Sequence, residues 1–302
     1  MAHAASHRLA IVTGAGSGLG RAFCRRLAAQ GSWHVVATDL ELARAEETRD
    51  LVVRRGGSAE ARQLDVADPD AWVAVREQLR QSFPRLDLLV NNAGVCMAAE
   101  AGQGELASWR RITEVNFFGV LHGCQLLVPW LRESALQPGP PPAVINVASI
   151  AAWLAPPSMG AYSASKAAVV AFTEALHAEL RQRGVHVTVA VPGFFASDLL
   201  AAGTFATPEL ARHAQELADS SRITADEVAT AALRAAERGR LYAILGRRAR
   251  WLARLKRLAP GLLVRMLGAR YARRHGAPEE GTGLTPCASK SLPRRLPSPL
   301  QD

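Results

Sequence analysis

Short apolar runs alternate with amphipathic helical stretches along most of this sequence, and this alternation constrains the fold more than any other feature. Most of the runs have the continuous Val, Ile and Leu content of strands that are buried on both faces. The predicted strands are residues 9–14, 34–39, 58–66, 86–94, 143–149, 185–193 and 241–245. Strands that alternate with helices in this way predict an α/β fold, a doubly wound parallel sheet with helices on both faces.

The length and the composition fit one such domain with additions at its C-terminal end. The chain has 302 residues, of which 49% are apolar and 21% are charged, as in an ordinary soluble globular protein. We assign residues 1–245 to the α/β domain, residues 246–277 to a basic helical extension and residues 278–302 to a disordered tail. The tail is rich in Pro and Ser and has no aromatic residue.

Cysteine spacing and apolar run lengths predict a cytoplasmic location. The four cysteines (Cys24, Cys96, Cys124 and Cys287) lie far apart, which predicts free thiols in a reducing compartment and no metal site. No apolar run has the length of a signal peptide or of a membrane-spanning helix.

A glycine-rich turn, TGAGSGLG at residues 13–20, joins the first predicted strand to the first helix. Gly14, Gly18 and Gly20 would let the backbone approach a pyrophosphate, which the N-terminus of the helix attracts. Asp39 ends the next strand, where a carboxylate can accept hydrogen bonds from both hydroxyls of an adenosine ribose. The same carboxylate would repel a 2′-phosphate, and neither the loop nor the residues beside Asp39 supply a cation, so NAD is favoured over NADP.

A tyrosine and a lysine stand four residues apart in YSASK, inside a predicted helix that begins near residue 160. Tyr162 and Lys166 would lie on one face of that helix. The ammonium would lower the pKa of the phenol and make Tyr162 an acid–base group, although such a pair alone is more often ordinary helix surface. Ser149 ends a predicted strand at the edge of the sheet where ligands bind in such folds, and its hydroxyl would hold a substrate oxygen near Tyr162.

The order of these motifs resembles the short-chain dehydrogenase/reductase family, collinearly from residue 9 to about residue 245. The resemblance implies a Rossmann-like fold, a nicotinamide cofactor and a catalytic set of Asn116, Ser149, Tyr162 and Lys166. In that family the lysine also binds the nicotinamide ribose, and the asparagine holds a water that relays protons. The cofactor-binding residues that it implies are Gly14, Ser17, Gly18, Leu19, Gly20, Asp39, Asp65, Val66, Asn92, Ala93, Gly94, Tyr162, Lys166, Pro192 and Gly193. Family members usually carry a threonine after the Pro-Gly pair, and here Ser197 is the nearest substitute.

The substrate pocket is expected to be apolar. Its walls should come from residues 150–160, the region after Val95, and a substrate loop at residues 193–222. Ser149, Trp153, Tyr162 and Phe194 are the predicted substrate contacts. Further apolar residues in these segments are Ile150, Leu154, Met159, Phe195, Leu199 and Phe205. A lipophilic secondary alcohol or ketone, such as a steroid, a retinoid or a long-chain compound, suits this lining.

The basic extension has no counterpart among the family motifs. The net charge of the chain is +9, and residues 246–275 alone contain ten Arg and Lys residues and no acid. Trp251, Leu255, Leu258 and Leu262 recur at helical spacing, and Pro260-Gly261 divides the segment into two short helices. Arginine stems could lie along the apolar stripe while their heads reach lipid phosphates, which favours contact with a membrane surface. Packing on the domain or on a partner subunit is the alternative, and nucleic-acid binding has no motif behind it.

Together these features predict an NAD-dependent alcohol dehydrogenase or carbonyl reductase that acts on a lipophilic substrate and forms a homodimer or homotetramer, as the family usually does. The alternative is a dinucleotide-binding regulator or scaffold of the same fold that docks through its basic extension. A regulator needs the glycine turn but has no need of Tyr162.

Overall fold

The computed structural model describes residues 7–195, 198–201 and 203–275. The strands are β1 Arg8–Thr13, β2 Trp33–Asp39, β3 Ser58–Gln63, β4 Leu88–Asn91, β5 Met97–Ala98, β6 Ala143–Val147, β7 His186–Val191, β8 Thr204–Phe205 and β9 Tyr242–Ile244. The helices are α1 Gly18–Ala28, α2 Leu42–Val53, α3 Pro69–Ser82, α4 Leu106–Thr113, α5 Gly119–Ala135, α6 Ala151–Leu154, α7 Gly160–Leu180, α8 Asp198–Ala201, α9 Pro208–Asp219, α10 Ala225–Glu237, α11 Arg247–Leu258 and α12 Pro260–His275.

Seven strands form one parallel sheet in the order β3-β2-β1-β4-β6-β7-β9. The chain builds outward from β1 to β3, returns to the middle of the sheet at β4, and then builds toward the other edge. This confirms the predicted doubly wound α/β fold. The direction of winding reverses between β1 and β4, and a crevice forms at such a point outside the carboxyl ends of the strands. A separate pair, β5 and β8, lies beside the main sheet.

Each face of the sheet is covered by its own hydrophobic core. Leu9 and Ile11 of β1 pack on one face with Trp72 of α3 and Trp130 of α5. Ala10 and Val12 of the same strand point to the opposite face, which α1 and α10 cover. Alternation along a strand sends successive side chains to opposite faces, so an uninterrupted apolar run is what a strand between two helical layers requires.

The sequence predicts two helix starts, from Asp68 before Pro69 and from Thr224 three residues before Glu227, and the structure confirms both. The Asp68 carboxylate accepts a hydrogen bond from Asp70 N at 2.9 Å, and Pro69 is the first residue of α3. Thr224 and Glu227 form a reciprocal capping box at the start of α10.

One predicted helix has an interruption that its sequence does not reveal. The sequence pattern from 108 to 134 predicts a single long helix, but residues Glu114–Phe118 form a π turn between α4 and α5. A π turn within a helix often marks a functional position, and Asn116 is at the centre of this one.

The basic extension consists of the two predicted helices, α11 and α12, which meet at Pro260. Among the described helices, none is both long enough and apolar enough to cross a membrane. The predicted tail, residues 278–302, and Ser197 lie outside the described residues. Cys24, Cys96 and Cys124 are free thiols and are buried, as predicted, whereas Cys287 also falls outside the described part of the chain.

Candidate active site

A cleft of about 320 Å³ opens at the carboxyl ends of the strands, where the direction of winding reverses. Sixteen of the predicted site residues line it. They are Gly14, Ser17, Gly18, Leu19, Asp39, Asp65, Val66, Asn92, Ala93, Gly94, Ser149, Tyr162, Lys166, Pro192, Gly193 and Phe194. Gly20 and Asn116 lie directly behind this lining and shape it.

The glycine turn needs its glycines for two different reasons. Gly14 and Gly18 have φ values of +59° and +45°, a region that residues with a Cβ rarely adopt. Gly20 lies so close beneath the turn that a Cβ there would be 2.0 Å from the Gly14 carbonyl oxygen. The turn is therefore packed tightly against the first turn of α1.

The N-terminus of α1 points its backbone amides toward the cleft. Ser17 is the capping residue, but its side chain accepts no hydrogen bond from the described helix, and the first turn contains no acidic residue. An 11-residue helix with this N-terminus attracts an anion through its amide groups and its dipole. The turn and the helix start therefore fit a pyrophosphate.

Asp39 is held at the end of β2 by the glycine turn itself. Its carboxylate accepts hydrogen bonds from Gly16 N at 2.9 Å and from Glu41 N at 3.2 Å. A Cβ at Gly16 would be 2.7 Å from the Asp39 carboxylate. Gly16 is thus a functional glycine that the sequence analysis missed, although it stands within the quoted motif.

A cation also reaches this end of the cleft. Arg44, in the first turn of α2, lines the cleft with Asp39, and its guanidinium lies 3.6 Å from the Glu41 carboxylate. The sequence analysis found no cation here because it considered only the immediate neighbours of Asp39. No motif marks Arg44, and its position depends on how α2 leaves β2.

Thr13 joins the glycine turn to the loop after β4. Its hydroxyl oxygen accepts hydrogen bonds from Asn92 N and Ala93 N, both at 3.0 Å. The Asn92 side chain donates in return to Thr13 O at 2.9 Å and Gly14 O at 3.2 Å. The NNAG motif therefore fixes the position of the loop after β4 relative to the glycine turn after β1.

Tyr162, Lys166 and Ser149 converge at the other end of the cleft. Tyr162 and Lys166 occupy one face of α7 and are only 5% and 3% exposed. Lys166 Nζ donates to Val147 O at 2.9 Å, which ties α7 to the end of β6. The Ser149 hydroxyl lies near enough to the Tyr162 phenol to lower the pKa of that phenol. Ile150 N donates to Pro192 O at 2.8 Å, which fixes the Pro-Gly turn beside Ser149.

The protonation of the pair differs from the sequence-based expectation. Burial raises the pKa of the Tyr162 phenol above its usual value, the nearby Cys96 thiol raises it further, and the hydrogen bond with Ser149 lowers it only in part. Burial lowers the pKa of Lys166 to about 8. In the chain alone, burial therefore has the largest effect on the pKa of Tyr162: the Lys166 ammonium donates to a backbone carbonyl, and the phenol stays protonated at neutral pH.

Asn116 is fully buried in the π turn, where its side chain holds the loop after the NNAG motif. Its Oδ1 accepts from Val95 N at 2.8 Å, and its Nδ2 donates to Val95 O at 3.0 Å and Ser165 Oγ at 3.1 Å. A Cβ at Gly94 would be 3.0 Å from Asn116 Oδ1 and 3.3 Å from Lys166 Nζ. Gly94 therefore keeps the space open beside both groups.

Of the four predicted substrate contacts, Ser149, Tyr162 and Phe194 line the cleft and Trp153 does not. Phe194 lines the cleft, as do Met159, Phe195 and Leu199. Trp153 does not: its indole packs edge-on against Tyr242 at a centroid distance of 5.9 Å and contributes to the core instead. Ile150 and Leu154 are buried in the same core, and Phe205 lies outside the cleft lining.

Cys96 is a further cleft residue that the sequence analysis did not assign to the site. It lines the cleft beside Tyr162, and burial raises the pKa of its thiol to about 11. The thiol is therefore neutral near pH 7 and acts as an apolar part of the wall. Only its place just after the NNAG motif indicates this position in the sequence.

Comparison with known proteins identifies relatives with the same arrangement. The family model of the short chain dehydrogenases matches residues 8–205. The probable oxidoreductase EphD of Mycobacterium tuberculosis is 34% identical over 200 residues, which are 66% of this chain and 33% of that protein. This chain therefore spans about a third of the length of that relative. The 3beta-hydroxysteroid dehydrogenase 1 of Eggerthella lenta is 31% identical over 222 residues, or 74% of this chain and 83% of that protein.

A solved structure has the same fold over most of its length. The crystal structure of a short chain dehydrogenase/reductase from Burkholderia phymatum in complex with NAD superposes with a TM-score of 0.79. The two sequences are 28% identical, and the match covers 85% of this chain and 95% of that one.

Proposed function

Because this chain belongs to the short chain dehydrogenase family, we propose that it is an NAD(P)-dependent oxidoreductase that interconverts a lipophilic secondary alcohol and its ketone, with NAD as the preferred cofactor. The observation that carries the proposal is the convergence of Ser149, Tyr162 and Lys166 in the same cleft as the glycine turn and Asp39. A protein that only binds the dinucleotide would need the glycine turn and Asp39, but it would not need Ser149, Tyr162 and Lys166 together.

The cleft fits a nicotinamide dinucleotide in both its shape and its donor groups. The amides of the glycine turn and the start of α1 would hold the pyrophosphate, and Asp39 would hold the adenosine ribose. Lys166 and the Pro192-Gly193 turn would hold the nicotinamide half. When bound, the cofactor accepts a hydride from an alcohol carbon or supplies one to a carbonyl carbon.

Tyr162 supplies the proton that accompanies reduction of a ketone. Its phenol is protonated at neutral pH because burial raises its pKa, so it can donate to the oxygen that becomes the alcohol. In the opposite direction the phenol would first lose its proton to solvent, and the phenolate oxygen would then take the proton of the substrate hydroxyl. Lys166, four residues on and with a pKa of about 8, is the cation that would favour the phenolate during that step.

Ser149 positions the substrate oxygen. Its hydroxyl oxygen accepts a hydrogen bond from Ala151 N at 3.2 Å, and the hydroxyl lies near enough to the Tyr162 phenol to lower its pKa. A group fixed in this way can donate to a carbonyl oxygen without first reorganising. The reacting oxygen would thus lie between the two hydroxyl groups.

The preference for NAD rests on charge at the adenosine end of the cleft. Three carboxylates (Asp39, Glu41 and Asp65) and two guanidinium groups (Arg44 and Arg111) line the cleft, and Arg111 lies 3.9 Å from Asp65. The excess of negative charge would repel a 2′-phosphate. We expect Asp39→Ser to weaken NAD binding and to narrow the preference for NAD by about tenfold, since the carboxylate beside the glycine turn is then removed. Fluorescence titration of NADH and NADPH would measure both dissociation constants. An unchanged ratio in Asp39→Ser would contradict this assignment.

The apolar end of the cleft supports a lipophilic substrate. Met159, Phe194 and Leu199 line it beside Tyr162, and the related protein from Eggerthella lenta is a 3beta-hydroxysteroid dehydrogenase. An apolar lining stabilises a bound hydrocarbon skeleton in proportion to the area that it buries.

The substrate class is tested with a panel of secondary alcohols. Cyclohexanol, a 3β-hydroxysteroid, a long-chain secondary alcohol and lactate are each incubated with NAD, and the formation of NADH is followed by absorbance. We expect the highest kcat/KM with the steroid or the long-chain alcohol. If the protein oxidised lactate but none of the lipophilic alcohols, the proposed substrate class would be wrong. The family assignment would be unaffected.

A further inference from the structure

The basic extension, residues 246–275, packs on the domain through only one face of each helix. On α11, Ala249 is buried and Leu252 and Leu255 pack against the core. On α12, Leu263 is 2% exposed and Leu267 packs beside it. These residues recur at intervals of three and four, so the inner face of both helices is already occupied.

Polar contacts fix the extension along the rim of the cleft. Tyr271 donates to Glu100 Oε1 at 2.6 Å, in the loop that follows β5. Arg274 lies 3.9 Å from the Glu216 carboxylate of α9 and also bonds His213. The helix α11 packs against α6, and Ala249 lies beside Gly193 of the cleft lining. The extension therefore connects three segments that surround the site.

The opposite face, which we call the outer face, exposes large apolar side chains. Trp251 is 58% exposed and Leu258 is 83% exposed, and the spacing of seven residues places both on one side of α11. Leu262 and Met266 of α12 are also about half exposed and lie four residues apart. Exposed apolar groups that recur on one side of a helix mark a contact surface.

Arginines surround these apolar side chains. Arg250, Arg254 and Arg257 are exposed and flank Trp251 and Leu258, while Arg265 and Arg270 are exposed on α12. Among the side chains of the extension that the structure describes, Arg274 alone forms an ion pair. The outer face thus combines unpaired positive charge with apolar groups, and residues 246–275 contain no carboxylate.

We infer that the outer face of the extension binds an anionic lipid surface, with Trp251, Leu258, Leu262 and Met266 entering the headgroup region and the arginines contacting lipid phosphates. Charge complementarity selects this occupant. In a symmetric dimer of this chain, the extension of one copy would face the extension of the other. Each extension has ten positive charges and no acid, so the two would repel each other. The phosphates of a nucleic acid would pair with the arginines, but they would not bury the four exposed aliphatic and aromatic side chains at helical spacing.

Docking in this orientation would bring the rim of the cleft to the lipid. The inner face touches α6 and the Gly193 turn, so a membrane on the outer face lies one helix layer away from the apolar end of the site. This consequence matches the lipophilic substrate proposed above, but the docking itself does not depend on that substrate.

Flotation of the full-length chain with vesicles tests the inference. The vesicles contain phosphatidylcholine alone or equal parts of phosphatidylcholine and phosphatidylglycerol, at low and high salt. The charge variant is Arg250→Gln/Arg254→Gln/Arg257→Gln, and its control is Arg54→Gln/Arg181→Gln/Arg183→Gln, which removes the same charge from exposed positions elsewhere. A second pair compares Trp251→Ser/Leu258→Ser with Leu106→Ser/Leu136→Ser, whose leucines are equally exposed outside the extension.

We expect the full chain and both controls to float with the anionic vesicles at low salt. The arginine variant should lose on the order of 100-fold in partition coefficient, from about 1 kcal/mol for each arginine near the surface. The Trp251/Leu258 variant should lose binding even at low salt. Thermal unfolding and turnover of a water-soluble alcohol should be unchanged in both, because all these side chains are exposed.

Three results would overturn the inference. One is equal flotation of the variants and their controls. Another is binding to double-stranded DNA with no flotation of the full chain. The last is a concentration-dependent dimer that the Trp251/Leu258 variant abolishes while vesicle binding is absent.

Discussion

The active-site cleft and the basic extension use polar and charged residues in opposite ways. At the catalytic end of the cleft Asn116 and Lys166 are buried, and each has its own partner, Asn116 in Val95 and Lys166 in Val147 O. In the extension the charged groups are exposed and act together through their number. We therefore expect single substitutions in the cleft to change activity or cofactor binding strongly. In the extension we expect only combined substitutions to change binding to a lipid surface strongly.

The largest effect among the following changes is expected from Ser149→Ala. It removes a donor to the reacting oxygen, and the loss of one such preorganised donor lowers kcat by roughly 10²- to 10³-fold. Steady-state kinetics with the best alcohol of the panel measures it. Ser163→Ala is the control, because Ser163 is buried next to Tyr162, and its hydroxyl has no hydrogen-bond partner among the described residues. Equal losses in both variants would show that Ser149 has only a packing role.

Lys166→Met should lower activity but increase stability at neutral pH. The pKa of Lys166 is lowered in the folded chain from 10.5 to about 8, so charging this buried group opposes folding. The penalty is complete below pH 8 and fades as the pH rises toward 10.5, because in that window the unfolded chain binds more protons than the folded chain.

We therefore expect Lys166→Met to raise the free energy of unfolding by on the order of 2–3 kcal/mol at pH 7, after allowing for the lost bond to Val147 O. The gain should shrink above pH 8. Urea unfolding at a series of pH values measures it. A variant less stable than the wild type at every pH would show that the hydrogen bond of Lys166 outweighs its buried charge.

Gly20→Ala should weaken NADH binding by roughly 10- to 100-fold, because a Cβ 2.0 Å from the Gly14 carbonyl forces the turn to shift at a cost of about 1–3 kcal/mol. Fluorescence titration measures the dissociation constant. Gly102→Ala is the control, since a Cβ there meets no atom within 4 Å. Unaltered NADH binding in Gly20→Ala would mean that the turn does not hold the pyrophosphate.

The smallest effect is expected from the extension. Gly268→Ala places a Cβ in open space within α12 and should stabilise the helix by about 1 kcal/mol without changing activity. Thermal unfolding and the standard assay measure the two quantities. A loss of stability would indicate that this part of α12 is more closely packed than the outer face suggests.

The fold and most of the site could be predicted from the sequence because both depend on local patterns. Continuous apolar strands between amphipathic helices determine a parallel sheet, and the winding reversal then brings Gly14 and Ser149 to one edge. The glycine turn and the Tyr-Lys spacing each lie within a single short segment, so each can be recognised in the sequence without knowledge of the rest of the fold.

The parts that could not be predicted depend on contacts between distant segments. Trp153 leaves the cleft because β9, nearly ninety residues later, brings Tyr242 beside it. Arg44 enters the cleft because of the angle at which α2 follows β2. The raised pKa of Tyr162 comes from burial among several elements, which no spacing within YSASK reveals. The π turn at Asn116 follows from packing against the loop at Val95 and against Ser165 of α7.

The most direct test of the account is a comparison of turnover and NADH binding in the wild type and in Tyr162→Phe. The control is Tyr242→Phe, which removes a hydroxyl that bonds Glu174 outside the cleft. We predict that Tyr162→Phe lowers kcat by roughly 10²- to 10⁴-fold while the dissociation constant of NADH stays unchanged, because only proton transfer is lost. Absence of turnover by both the wild type and Tyr162→Phe on every alcohol, with NADH bound normally by both, would contradict the account and favour a dinucleotide-binding regulator.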